Sequence, residues 1–580
     1  MGLPREPRPL SRVKPKVALP DPPAAEKRLL VNCAGLISGP PVNLMERGSV
    51  AQTDSLEHQS TMNISRLRVA GFWILAGLLV GLTAAGCAES TPVASSTPAG
   101  QTAAPPERVS PPQRETWDIT YILGSRAGYT QTTVRSVTYA GRKAVRIESV
   151  DHLEVQRSGE RIKPDSRVVS IETPEGKLLQ FESELQLGPA PMRTVGRVVG
   201  DRLELETSTQ GQKISPQIPW SAECGGPFAA EDSLRREPLE PGGKRTLRLL
   251  VPGFNQVASL TMTAKDYESV QLPVGTCDLL RIDTELRFPN GQVLKGGMWT
   301  DRQGDTLKTR IAALNMEKVR ATKALALKQP EKLDLDLLWD LAVKLDRPLP
   351  DAHHTQRVRY RVQLEGDDPA KMFVSGPSQR IKSIDAHTAE VTVYATGPGK
   401  PEGNPDAPDD PPSDDDRRPN NLIQSDNAKI VAMARKAAGA DQDPWRTAVA
   451  LERYVNQLIT KKDFSQAFAT AAEVAENPVG DCTEHAVLLA ALARARGIPT
   501  RAAMGLVYMQ GKQAFGYHMW DEVYVGGRWI PIDATLGQGG IGAAHLELAH
   551  SSLKGASAYS SFLPVIQVIG RLKIEVLEVE

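Results

Sequence analysis

Residues 481–495, DCTEHAVLLAALARA, constrain the fold more than any other stretch of the chain. Past its first turn this segment is apolar on nearly every side, so the helix it forms has little to offer water and must be enclosed by other elements. Its ends are marked. Asn477-Pro478 closes the helical stretch before it, because proline cannot continue a helix and restricts its predecessor. Asp481 can cap the free amides of the first turn, with Glu484 three residues on to reach back. Gly497 fits the left-handed position after the last turn, and Pro499 prevents continuation. Cys482 is therefore the first residue inside the helix. Aligned amides favour an anion at that point, which by itself lowers a thiol's pKa. A structural cysteine opening a core helix has the same local pattern, so the chemistry depends on what stands opposite.

Downstream, TRAAMGLVYMQ reads as a strand, GKQAF as a turn and GYHMWDEVYV as the next strand, with a GG hairpin into RWIPIDAT. Alternation puts His518, Trp520, Glu522 and Tyr524 on one face, and Trp529, Pro531 and Asp533 on one face. Pairing Ile530 or Trp529 with Val523 or Tyr524 leaves His518 and Asp533 near the same open end. A cysteine nucleophile needs a base for its proton and a carboxylate to orient the imidazole. Upstream, NAKIVAMARKAAG and DPWRTAVALERYVNQLI carry helical spacing, the second opened by Asp443-Pro444.

The stretches GDCTEHAVLLAALARARGIPTRAAMGLVY and YHMWDEVYVGGRWIPIDAT, with the interval between them, resemble the transglutaminase-like core. That superfamily of papain-like folds contains transglutaminases, peptidases and deamidases. The resemblance spans roughly residues 425–550 and implies an α+β domain over 423–550, helices packed on an antiparallel sheet. It implies Cys482 as nucleophile, His518 as base in a His-x-Trp pattern, and Asp533 as acid in a Trp-x-Pro-x-Asp-x-Thr pattern.

The expected activity is cysteine-dependent hydrolysis of an amide or peptide through a thioester, on a protein or peptide substrate. Acyl transfer to an amine is the alternative, and a surface-tethered binding or assembly protein with an inert enzyme-like domain is the reading from a different class. The Cys482 amide is a natural oxyanion donor; Trp445, Tyr454, Asn456 and Gln457 are candidates for the second. Trp520 and Trp529 either wall the acyl groove or pack against the helix. His485 is expected to be satisfied locally, and Glu522 to bond backbone amides or a core arginine. His545 and His550 read as a short helix without zinc spacing. The glycines of GQGG, 537–540, allow tight turns or a mobile rim. No pattern for a cofactor or a metal is found.

The rest of the chain is expected to carry and position this domain. Residues 1–61 are Pro-rich without sustained periodicity, either an extension upstream of a true start at Met62 or a cytoplasmic tail. Residues 62–87 follow the charged, apolar, small-residue order of an export signal, ending in Ala84-Ala85-Gly86-Cys87, which resembles a lipoprotein processing site with Ala84 where leucine is usual. Lipid on Cys87, ordinary cleavage and an uncleaved anchor all place the body outside the cytoplasmic membrane. Residues 88–113 are a polar Ser/Thr/Pro/Ala spacer. Short runs rich in Val, Ile, Thr and Tyr make 114–330 a mainly antiparallel region of one large or two smaller domains. A smaller β-rich region follows at 331–398, an acidic Pro-rich solvated linker at 399–422, and a C-terminal strand extension at 551–580.

Lys plus Arg, 69, equals Asp plus Glu, 69, and with no basic stripe a nucleic-acid partner is not indicated. Five cysteines are too few for a disulfide-built fold. Cys33 suggests no role; Cys224 and Cys277 could pair in an exported protein or stay separate thiols. His353 and His354, adjacent and pointing opposite ways, make a poor metal pair.

Overall fold

The computed structural model describes residues 111–580 except 187–190, 210–211, 330–334, 398–402, 463–467 and 556–557. The export signal, Cys33, Cys87 and all but the last residues of the spacer lie outside the described residues. Among the described residues no helix is long and apolar enough to cross a membrane.

Apart from one hairpin, the strands between Arg114 and Ala321 join in one sixteen-stranded sheet. The alternation expected of such strands is plain in Arg202–Thr209, where Leu203, Leu205 and Thr207 are buried and Arg202, Glu204 and Glu206 are exposed. Its first strand, Arg114–Ile122, lies between Ser125–Tyr139 and the last strand, Met316–Ala321. Cys224 and Cys277 are free thiols in different apolar clusters.

One hairpin leaves this sheet. Val155–Arg157 pairs with Glu160–Ile162 across Ser158 and Gly159, both at positive φ (52° and 82°), the geometry a two-residue hairpin turn requires. The amides of Ser158 and Gly159 donate to the Asp336 carboxylate at 3.0 and 2.8 Å. That anchor directs Arg157 toward the C-terminal domain.

The segments read separately as 331–398 and 551–580 come together. Strands Arg357–Leu364, Gln379–Asp385 and Thr388–Tyr394 form a four-stranded sheet with the terminal strand Leu572–Val579. The acidic tract is not simply solvated. Asp410 pairs with Arg501 and its carbonyl accepts from Trp529 Nε1 at 2.7 Å, while Asn404 and Asp416 are buried. A buried guanidinium and an indole N–H need acceptors, and this tract supplies them.

In the C-terminal domain, helices Ala428–Ala438, Pro444–Leu458 and Ala471–Glu476 surround the helix Cys482–Ala495. Its residues are buried from Cys482 through Arg494, as its composition requires. Beside it lies a five-stranded sheet of Val343–Lys344, Ala514–Val525, Thr500–Met509 and His545–Ser551, with Arg528–Ile532 on Ala514–Val525. His545 and His550 are therefore on a strand, not a helix. The alternating His545-Leu546-Glu547-Leu548 pattern, with the leucines in the core, accounts for it.

Candidate active site

The N-terminus of the cysteine helix is built as its sequence implies. Asp481 accepts from the Thr483 amide at 2.9 Å, and Glu484 accepts from the Asp481 amide at 2.9 Å, a reciprocal cap. His485 is satisfied locally, by the Asp481 carbonyl and by Lys462 Nζ at 3.0 Å from its Nε2.

The hairpin register is Val523 opposite Ile530 and Tyr524 opposite Trp529, as expected. It carries Asp533 back to His518, whose Nε2 lies 2.8 Å from Asp533 Oδ2, both groups buried. Burial pushes the Asp533 carboxyl up, yet the His518 and His545 rings beside it hold it well below the usual carboxylate range. An ionised Asp533 only accepts, so the His518 nitrogen facing it carries the proton. In the neutral ring the proton then sits on Nε2 and Nδ1 is the acceptor nitrogen.

Cys482 is 0 % exposed. Its thiol pKa is driven well above the ordinary value, first by burial and next by the Asp481 charge; Arg157 and a hydrogen bond from the Met519 backbone oppose the rise. The helix-end effect expected to lower this pKa is therefore outweighed. A dipole's pull is of order 1 kcal/mol, whereas desolvating a thiolate costs several times that. The Met519 bond places the thiol against the backbone of the residue next to His518.

Sequence reasoning missed four neighbours of this site. Arg157, carried by the hairpin of the large sheet, sets its Nη2 2.7 Å from Asp481 Oδ2, with both side chains 1 % exposed. Lys462 lies close enough to feel the charges of Asp481, Asp533 and Cys482, though burial dominates and lowers its pKa. His545 Nε2 approaches the same Asp533 oxygen at 3.2 Å. His353, 7 % exposed, has its ring 6.1 Å from that of His545, and burial, followed by His545, brings it down to about 4. His353 and His354 do point apart: His354 is exposed on Asp351 while His353 turns inward. Only His545 had a local signal, its strand alternation; the others arrive through long-range packing.

Of the two tryptophans read as either groove walls or helix packing, Trp520 stacks on His518 with ring centroids 6.1 Å apart at 19°. Trp529 instead lies under the Arg501 guanidinium, 4.1 Å from its ring centroid. Glu522 bonds Arg501 at 2.7 Å, the core arginine expected for it. Asn456, a candidate oxyanion donor, gives its Nδ2 hydrogens to the Ala534 and Thr535 carbonyls at 2.9 and 3.1 Å. It shapes the loop after Asp533, and Gln457 is exposed.

Residues 431–534 match the transglutaminase-like superfamily. Among curated proteins none matches the chain. Among solved structures, the chain is similar to a candidate cysteine protease of Cytophaga hutchinsonii, at 17% identity over 39% of this chain and 85% of that one, TM-score 0.24. A candidate protease of Parabacteroides distasonis is 12% identical over 60% of this chain and 64% of that one, TM-score 0.17. A β-barrel-like protein of Brucella abortus with a domain of unknown function is 9% identical over 36% and 95%, TM-score 0.28. TM-scores this low establish neither shared activity nor shared substrate. The enclosed helix, the antiparallel sheet and the matched interval identify the C-terminal part of this chain as a transglutaminase-like superfamily domain.

Proposed function

We propose that the chain is an exported, membrane-tethered cysteine hydrolase that cleaves an amide or peptide bond through a thioester on Cys482. The observation that carries this reading is the buried 2.8 Å His518–Asp533 pair beside the helix that opens with Cys482. His518 Nδ1 takes the thiol proton as sulfur attacks the carbonyl carbon. The developing oxyanion accepts from the Cys482 amide. The imidazolium returns its proton to the leaving nitrogen, releasing an amine and leaving the acyl group on sulfur. Water then loses a proton to His518 and attacks the thioester, and the expelled thiolate recovers that proton. Asp533 keeps the ring oriented throughout.

With Cys482 wholly buried, substrate entry requires the cover over the helix N-terminus to move. The Arg157 hairpin is one part of that cover. The same burial favours a second reading, an inert enzyme-like scaffold in a tethered binding protein. An electrophilic acyl probe separates the two: a hydrolase is acylated on Cys482 and loses labelling in Cys482→Ala, whereas a scaffold shows no Cys482-dependent labelling.

A further inference from the structure

We propose that His518, Asp533 and His545, with His353 beside them, form a binding site for a zinc-like divalent transition metal. The donor atoms of the first three residues lie within 4.8 Å of one another, and all three residues are buried. Two imidazole nitrogens converge on one carboxylate oxygen, Asp533 Oδ2, at 2.8 and 3.2 Å. Donors around a tetrahedral zinc stand about 3.4 Å apart, given metal–donor distances of about 2.0–2.2 Å. The ion therefore takes the place of the ring N–H groups facing Oδ2, each neutral ring carrying its proton on Nδ1 instead, and the cluster opens by a few tenths of an ångström.

Asp533 is already oriented from its other side, since Oδ1 accepts from the Thr535 amide at 2.8 Å. Such outer-sphere bonds fix a ligand's direction. The nearby His353 ring has both nitrogens without a hydrogen-bond partner among the described residues, and its centroid is 6.1 Å from that of His545. It is the natural fourth donor. Imidazole and carboxylate together suit zinc, cobalt or nickel better than magnesium or calcium.

A second cluster, Glu522, Glu547 and His550, has comparable spacing. There the Arg501 guanidinium already holds Glu522 at 2.7 Å, a fixed cation where the ion would sit.

Occupancy has a chemical consequence that rests on the hydrolase reading. To bind metal through Nε2, a neutral His518 ring must move its proton to Nδ1, the reverse of the tautomer set by Asp533 alone. His518 could then no longer take the thiol proton, and the loaded protein would be inactive. Binding itself does not depend on that reading.

The test uses the full chain carrying Cys482→Ala, which removes the thiol as a donor, titrated with Co²⁺. The expected result is one equivalent bound with the intense visible bands of four-coordinate cobalt, no sulfur charge-transfer band, and displacement by Zn²⁺. His545→Gln and His353→Gln, each made in that chain and checked for a cooperative unfolding transition, should loosen binding by about tenfold or more. If His545→Gln fails to fold, His353→Gln decides. Loss of binding on removing the thiol, a pale six-coordinate spectrum, or undiminished affinity in the folded histidine variants overturns the site.

Discussion

Arg157 and Asp481 meet at 2.7 Å in the core, one from a hairpin of the large β-sheet and the other capping the cysteine helix. A buried pair of this kind ties the β-rich region to the reactive end of the C-terminal domain. Removing one partner leaves an uncompensated charge. Arg157→Ala should cost about 3–5 kcal/mol of stability. Asp481→Asn in that background should recover part of the loss, because asparagine can still cap the helix. Denaturant unfolding of both single variants and the double variant measures the coupling; additive losses would contradict it.

Both members of this latch lie close enough to Cys482 for their charges to act on its thiol. In the native chain, half-buried Cys277 should be alkylated faster than Cys482, because Cys482 is enclosed and burial keeps its thiol protonated. Labelling of Cys482 should stay low through neutral pH and rise only above the ordinary thiol range. Arg157→Ala should raise its neutral-pH labelling by opening the cover. Peptide mapping after timed alkylation reads Cys277 and Cys482 separately, and equal native rates for the two would count against a closed site.

Asp533 accepts from both His518 and His545. Asn at this position supplies a poorer acceptor and an amide that favours the wrong imidazole tautomer. On the triad account Asp533→Asn should lower kcat by roughly 10³–10⁴-fold while KM changes little. A KM effect with kcat preserved would assign Asp533 to binding instead.

Glu452 accepts from the Gly539 amide at 2.7 Å and lies beside Asp533. Burial, with the Asp533 charge adding to it, pushes its carboxyl up to about 8. A proton bound more tightly when folded stabilises the fold below the unfolded pKa, and that stability is lost as pH rises through about 8. Glu452→Gln keeps the acceptor for Gly539 and removes the charge. Its Tm should match the parent near pH 5 and exceed it near pH 8. A variant less stable at pH 8 would contradict this account.

What was legible in the sequence follows the range of the interactions. The helix caps at Asp443 and Asp481, the Gly497 stop and the Val523–Ile530 register are set within a few residues or across one tight turn. Local spacing records them directly. Joining Leu572–Val579 to Arg357–Leu364, seating Asp410 on Arg501, and bringing Arg157 and His353 to the site depend on chain segments far apart. No periodicity encodes such meetings. The thiol's pKa was misjudged for a related reason: the helix dipole is local and visible, whereas the burial that outweighs it comes from the whole fold.

Reactivity of one sulfur atom decides the main question. The full chain and its Cys482→Ala variant, incubated with a peptide mixture with and without a primary amine, are read by mass spectrometry of both protein and products. The hydrolase account predicts an acyl adduct on Cys482 and cleaved or deamidated peptides, absent in the variant and unchanged by the amine. Amine-bearing products would point to transfer instead. No adduct and no product from the intact chain would contradict the enzymatic reading.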